Sequence, residues 1–462
     1  MSSYPRRWQV LALLGIAQFM LILDVTVVAI SLPLMGAELG LDRQALTWVV
    51  SAYTLTFGGL MLLGGRIADL IGPRTMVLLG LAVFTVASFA TGAAQTDVMV
   101  LAGRVGQGLG AAMLSPSALS VVVRMFDGEE RNRALGIWSA LGGGGAAVGV
   151  LVGGLLAAGP GWSWVFFVNV PIGLAVFVVL ARVLPALPAA QAGRRRSADV
   201  LGALLVTAAT GSVIYAMIGA GEAGWLAPRT WILFAVGVGL YLLFGWRQRT
   251  AAAPLMDLGL LFRRPVVAGT FVIAIGTALM VAVFFLGSFY LQGHARLGPL
   301  VTGLLFLPVA VATMVGAQAG GRIIGQVGGR TLAMVGLAVA AVGLAVPAFT
   351  PTTIGVVIGV SVGAAGIGSL FVVASATALG QVAPHEAGVA SGIVSTFHEF
   401  GASIGAAVTS SVAAASLATQ AVGGYTTAFA VAAGAALVGA IVSGGLIPGR
   451  RPAPEAVTMP VH

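Results

Sequence analysis

GGRIADLIGPRT, residues Gly64–Thr75, returns at Gly320–Thr331 as GGRIIGQVGGRT, identical at 7 of 12 positions with an offset of 256. The same offset, without a gap, carries ALGIWSALGGGGAAVG (Ala134–Gly149) onto ASGIVSTFHEFGASIG (Ala390–Gly405). One register shared by two distant segments implies that the chain is built as two related halves. Everything else in the sequence has to fit between and around those two copies.

Composition places both halves in lipid. Hydrophobic residues make up 58% of the 462 residues and charged residues only 8%, against about 25% charge in a soluble domain. Cysteine is absent, which excludes disulfides and thiolate metal sites. The net charge of +9 comes from 23 basic residues, all of them Arg. In a membrane chain such an excess first reports topology, so nucleic acid is not an expected partner. Internal repeats of this kind recur among secondary transporters, whose substrate sites lie between the repeats near the bilayer midplane.

A helix needs roughly 20 apolar residues to cross a bilayer. Qualifying segments lie near 9–32, 45–64, 76–94, 98–122, 134–158, 165–184, 200–219, 230–246, 266–290, 300–320, 332–349, 354–378, 388–414 and 426–447, fourteen in all. The first is too long for a secretory h-region and lacks a convincing cleavage site, so it reads as retained. With both termini in the cytoplasm, 19 arginines fall on the inner side and three (Arg43, Arg229 and Arg296) on the outer, while Arg104 alone lies within a span. That asymmetry is the one the positive-inside rule demands. A repeat of 256 residues exceeds what six spans occupy, and the segments at 200–219 and 230–246 account for the surplus. The expected organisation is all-α and reads six, two, six. A first bundle occupies 1–184, a linker and two inserted helices 185–250, a second bundle 251–447, and a cytoplasmic tail 448–462. Leu184–Ser197, LPALPAAQAGRRRS, is the linker leaving the first bundle.

The doubled loop sits where span 2 turns into span 3 on the cytoplasmic side. Its glycines, among them Gly65 and Gly72, permit close helix ends and a tight turn. Arg66, Asp69 and Arg74 could pair with or cap neighbouring helix ends. A polar turn that merely obeys topology is the plainer alternative, although topology does not require the same spacing twice. The copies differ in one charge: Gly325 stands where Asp69 does, so only the first loop can form that ion pair.

GGRIADLIGPRT resembles the loop 2–3 signature of the major facilitator superfamily, Gly-x-x-x-Asp-x-x-Gly-x-Arg. LAGRVGQGLGAA (Leu101–Ala112) resembles its span 4 motif, with a buried Arg and a Gln-Gly pair. LDVTVVAISLP (Leu23–Pro33) is similar to the first-span motif of the fourteen-helix drug:proton antiporter subfamily, and WVVSAYTL (Trp48–Leu55) and WSWVFFVNVPIG (Trp162–Gly173) resemble further signatures of it. The resemblance implies a major-facilitator fold and proton-driven efflux of small compounds such as drugs and antibiotics, with no prosthetic group. It also implies a role for Arg104 in proton coupling. One motif departs. The antiporter signature of span 5 reads Gly-x-x-x-Gly-Pro-x-x-Gly-Gly, whereas this chain has Gly145, Gly149, Val150, Gly153 and Gly154. The small-residue face for close packing survives; the proline bend does not.

Ionisable groups in lipid cost several kcal/mol by insertion scales, so each needs a partner or a purpose. Asp24, flanked by Leu23 and Val25, could be a helix–helix hydrogen bond or a carboxyl that exchanges a proton or holds a cation. Apolar surroundings favour a neutral carboxyl and a nearby guanidinium a charged one, so movement between them would shift a proton. Arg104 cannot readily deprotonate and is either a clamp between helices or a neighbour that tunes Asp24. Gln107, one turn on, is a candidate companion. His398 and Glu399 lie mid-span at positions the repeat equates with Gly142 and Gly143. About 100° separates neighbouring helix residues, so the two should face different partners. Glu399 is either a neutral acid bonded to backbone or a second proton or cation site. Gln18, Tyr53, Gln107 and His398 are cavity candidates, and Asn169 before Pro171 could equally serve a turn or a cavity.

No i, i+4 His pair suggests zinc, no phosphate-binding loop suggests ATP, and no nucleophile–base set suggests hydrolysis. An enzyme is therefore not expected. The reading is of a multi-pass protein of the cytoplasmic membrane whose partners are a small-molecule substrate, protons and lipid, acting as a monomer. In it Asp24, Arg104 and Glu399 couple or bind, and Gly65, Arg66, Asp69, Gly72 and Arg74 latch the cytoplasmic side. Two alternatives stay open: a dedicated exporter of a natural product or lipid-like molecule, possibly uncoupled, and a receptor or scaffold that kept the fold without transport.

Overall fold

The computed structural model describes residues 4–185, 198–380, 387–414, 422–447 and 449, with the side chains of all but 128, 132, 136, 139–147, 387 and 388. Among these residues every regular element is a helix. In chain order they are α1 (Arg7–Leu39), α2 (Arg43–Ile71), α3 (Pro73–Gly92), α4 (Asp97–Met125), α5 (Gly128–Ala158), α6 (Ser163–Phe167), α7 (Asn169–Val183), α8 (Val200–Ala223) and α9 (Pro228–Thr250). Then follow α10 (Leu258–Leu261), α11 (Arg264–Phe289) with a terminal π turn over Tyr290–His294, α12 (Pro299–Val327), α13 (Gly329–Phe349), α14 (Thr353–Leu379), α15 (Ala387–Val412) and α16 (Val422–Leu446). Among the described residues, twelve segments are long and apolar enough to cross a bilayer: α1 to α4, α6 with α7, α8, α9, α11 with its π turn, α12 to α14, and α16. Two further long helices, α5 and α15, contain residues whose side chains are not described. The linker 186–197 and most of the tail from 448 lie outside it as well.

The repeat reaches the helix ends. α2 and α12 both begin and end 256 residues apart, Arg43 against Pro299 and Ile71 against Val327. Each then turns on one glycine with positive φ, Gly72 at 94° and Gly328 at 81°, and each glycine N–H bonds the carbonyl four residues back, Ala68 O and Ile324 O, at 2.9 Å. A residue with a Cβ is strained there. The helices that follow the next loop are capped alike: Thr96 Oγ1 accepts from Met99 N at 3.3 Å, and Thr352 Oγ1 from Gly355 N at 3.0 Å. These caps satisfy first-turn donors that lipid would leave unpaired.

Small residues set how near the helices come. A Cβ on Gly110 of α4 would lie 2.5 Å from Phe84 N, and one on Gly108 would lie 2.6 Å from Tyr53 O, so α4 packs closely against α3 and α2. Gly401 and Gly405 of α15 lie against the backbone at Ala274 and Ala278 of α11 in the same manner. Large apolar side chains left on the outside, among them Val86, Leu226, Leu242, Ile354 and Ile441, are 69–86% exposed. Such an extensive apolar exterior suits lipid, where backbone polarity is satisfied inside each helix.

Candidate functional site

Five helices of the first half deliver polar groups to one buried point. Asp24 (α1), Arg104 and Gln107 (α4), Ser88 (α3), Asn169 (the first residue of α7) and Tyr53 (α2) are each at most 1% exposed. Arg104 Nη1 donates to Asp24 Oδ2, and also to Gln107 Oε1 at 2.9 Å; its Nε donates to Val49 O at 2.8 Å. Gln107 Nε2 donates to Asp24 Oδ1 at 3.0 Å and to Ser88 Oγ at 2.9 Å, and Asn169 Nδ2 reaches Asp24 Oδ1 at 3.5 Å. The guanidinium stacks 4.4 Å from the centroid of the Tyr53 ring and 5.9 Å from that of Phe166. Arg104 therefore has carboxylate, amide, carbonyl and π-face partners, which is how a permanent cation is held away from water. Its three-residue spacing from Gln107 puts both side chains on one face of α4.

Chemically the cluster has one group that can change charge. The guanidinium keeps its proton, whereas the carboxyl can accept one and stop attracting it. Protonation of Asp24 would leave Arg104 with neutral acceptors only. The ion pair ties α1 to α4 at a point buried from water.

Glu399 occupies a different setting. It is 8% exposed on α15, its Cβ against Gly58 of α2, where a Cβ would come within 2.6 Å. Among the described residues its carboxyl makes no hydrogen bond or ion pair. Thr396 Oγ1, one turn earlier, and Gln18 Oε1 on α1 are buried and have no hydrogen-bond partner among the described residues. Tyr53 lies within electrostatic reach of Asp24, Glu399 and Arg104 together. His398 faces elsewhere: its Nδ1 is 3.0 Å from Thr277 Oγ1 on α11, and its ring centroid is 5.9 Å from that of Phe371.

The residues of the doubled loop disperse. Asp69 pairs with Arg124 in the last turn of α4 at 3.2 Å, not with Arg66 or Arg74. Arg66 Nη2 donates to Pro254 O at 3.2 Å, and Arg74 Nη2 to Ala181 O, at the end of α7, at 2.7 Å. Gly65 has Pro116 Cβ as its nearest neighbour, at 3.8 Å from where its own Cβ would sit. On α5, Gly149 and Gly153 rest on Thr26 and Val27 of α1, while Gly154 meets Pro299 and Gly303 of α12. The surroundings of Gly145, Gly142 and Gly143 lie outside the described side chains. α5 continues helically through Val150, whose side chain is fully buried.

A profile of the Major Facilitator Superfamily matches residues 14–406. The chain belongs to that superfamily. It is 35% identical to the puromycin resistance protein pur8 of Streptomyces alboniger, covering 98% of this chain and 93% of that one. It is 34% identical to the multidrug resistance protein Stp of Mycobacterium tuberculosis (88% and 76%) and 35% identical to the cephamycin export protein CmcT of Amycolatopsis lactamdurans (85% and 82%). Among solved structures, a bacterial homolog of the human lysosomal transporter Spinster, in an inward-facing, unoccupied conformation, superposes with a TM-score of 0.67 at 16% identity over 96% of each chain. That likeness concerns the fold. This superfamily member is a multi-pass membrane protein whose relatives confer antibiotic and multidrug resistance and export.

Reading the sequence for isolated charges found both ends of the central ion pair and missed much of what surrounds it. Ser88 is an ordinary small residue in an apolar span, and Val49 contributes a carbonyl, so neither carries a signal. Asn169 was open to two readings, and the structure places its amide toward Asp24.

Proposed function

We propose that this protein exports small amphipathic or cationic compounds across the cytoplasmic membrane by alternating access, exchanging them for protons. The observation that carries the reading is the contrast between two buried acids: Asp24 is engaged by Arg104, Gln107 and Asn169, whereas Glu399 has no hydrogen-bond or ion-pair partner among the described residues. The first suits a proton switch and the second a cation site. In this reading the chain spans the membrane fourteen times as six, two and six. Its termini lie in the cytoplasm, its bundles are residues 1–184 and 251–447, and it acts as a monomer. Helix ends and caps that recur at one offset support two pseudo-symmetric halves, with α8 and α9 as the inserted pair.

A cation entering from the cytoplasm pairs with Glu399, with the Thr396 hydroxyl one turn away on the same helix. Protonation of Asp24 releases Arg104, and α4 is then free to shift against α1. Asp69 with Arg124 would steady the cytoplasmic ends of α2 and α4 in the state that pair accompanies, while Arg66 and Arg74 tie their helices to the neighbouring loop and to α7.

The test is proton release from purified protein in weakly buffered detergent on adding puromycin, chosen from the resistance relative, or a cationic dye. The wild type should release protons, with the signal lost in Asp24→Asn and compound binding weakened in Glu399→Gln. Binding without any proton release in the wild type would overturn antiport and favour an uncoupled exporter. Everted vesicles supplied with a proton gradient should accumulate the same compounds.

A further inference from the structure

The first helix of the inserted pair lies across the join between the two halves. α8 rests on α2, where a Cβ on Gly59 would lie 2.9 Å from Thr207 Cβ, and on α15, where a Cβ on Gly221 would lie 2.9 Å from Ser411 Cα. Along one end of that join, α2 and α15 are laced by hydroxyls. Thr47 Oγ1 donates to Ser410 Oγ at 2.5 Å, Thr54 Oγ1 and Ser403 Oγ are 2.5 Å apart, and Ser51 and Ser403 exchange longer contacts of 3.5 Å with each other's carbonyls. Residues 47, 51 and 54 share one helix face, as do 403 and 410.

Arg43 closes the end of this row. Its Nη2 donates to Glu222 Oε1 and to Ile218 O, both on α8, at 3.0 Å, and its Nη1 to Ser410 Oγ on α15 at 3.3 Å. Gln44 Nε2 holds the second oxygen of Glu222 at 2.5 Å. Three helices of different origin, α2, α8 and α15, thus meet on one guanidinium. The Arg43 side chain is only 9% exposed, whereas Glu222 is 54% exposed. The acid remains in contact with water while it orders a base that is nearly buried.

On the topology proposed above, this end of α2 faces outward, and cargo leaving the cell has to part α2 from α15 there. We propose that Glu222 is an external gate residue: by holding Arg43 over the α2–α15 join, the inserted helix α8 keeps the outer door shut. The inserted pair is then a working part of the gate rather than a spacer. Glu222 acts through Arg43 and touches no cargo, so it is a positioning residue. This rests on the alternating-access reading, and the test separates the two.

The natural chain has no cysteine, so Ser403→Cys, a change of one oxygen to sulfur at a fully buried point of the join, gives a single reporter. Intact cells are treated with a membrane-impermeant maleimide, and the labelling rate is followed in this background with and without Glu222→Gln. The expected result is about a threefold to fivefold faster reaction in Glu222→Gln, the effect that a half-exposed ion pair supports, with Glu222→Asp close to the parent. In a double-variant comparison, Arg43→Gln should raise the rate as well, and adding Glu222→Gln to it should change nothing further. Equal rates with and without Glu222→Gln, or full additivity with Arg43→Gln, would overturn the gate role alone. If the reporter is never reached from outside in any variant, yet reacts once the protein is unfolded, outward opening itself is refuted and the alternating-access reading falls with it.

Discussion

Asp24→Asn isolates the energetics of the buried cluster. Three donors converge on this carboxylate: Arg104 on Oδ2, and Gln107 and Asn169 on Oδ1. Asn keeps the shape but replaces one acceptor oxygen with a donor, so an N–H must face an N–H, and the guanidinium, 1% exposed, loses the counter-charge it has among the described residues. Removing one member of a buried ion pair costs about 3–5 kcal/mol; Val49 O and Gln107 Oε1 still accept from Arg104, which places the expected loss near the lower end, about 3 kcal/mol. Arg104→Gln should be milder, about 1–2 kcal/mol, because the stranded carboxyl can take up a proton and the stranded guanidinium cannot lose one. Thermal or SDS-induced unfolding of purified protein, read by intrinsic tryptophan fluorescence, gives both values. The double variant should be less unstable than the sum of the singles by about 2 kcal/mol. If Asp24→Asn is as stable as wild type, or Arg104→Gln is the more damaging change, the cluster is not held together as described.

Three further outcomes follow from the same geometry. Glu399→Gln should weaken binding of a cationic compound by about tenfold or more while leaving an uncharged analogue within about twofold, measured by tryptophan quenching on titration; equal losses for both would place the cation elsewhere. Gly72→Ala and Gly328→Ala should each cost about 1–3 kcal/mol for the positive φ they force on alanine, whereas Gly321→Ala, inside α12 with nothing within 4 Å of its new methyl, should be neutral or stabilise by about 0.5–1 kcal/mol. Asp69→Asn removes an ion pair whose partners are 44% and 29% exposed, so the unfolding midpoint should barely move, by less than about 1 kcal/mol, while transport in vesicles should fall.

What the sequence discloses depends on how local the signal is. Apolar length marks helices wherever lipid is the solvent, so the spans could be located, but α1, α2 and α12 each run seven residues past the ends that apolar length gives, because their last turns carry polar and small residues. The Gly72 turn was legible because it is written twice, and both copies take the same positive φ. Asp24 and Arg104 stood out because charge in lipid is costly. Their mutual contact was anticipated only as a possibility, because 80 residues separate them and helix packing alone decides the meeting. Ser88, the Val49 carbonyl and the destination of Arg66 at Pro254 are consequences of tertiary approach with no composition to betray them. Asp69 was known to be the charge missing from the second copy, yet its partner, Arg124, lies on another helix.

The meeting of α5 with α12 bears on how such a molecule can move at all. A Cβ on Gly154 would lie 2.9 Å from Pro299 O and 3.2 Å from Gly303 Cα, and one on Gly303 would lie 2.8 Å from Val150 O. Backbone therefore meets backbone at these two glycines. Interdigitated surfaces have discrete resting positions and must unpack to change them; where two glycines face each other, neither contributes a side chain to interdigitate. The glycine contact can serve as a bearing on which α5 and α12 roll through a few degrees while staying in touch, so tilting at this point need not expose apolar surface to water.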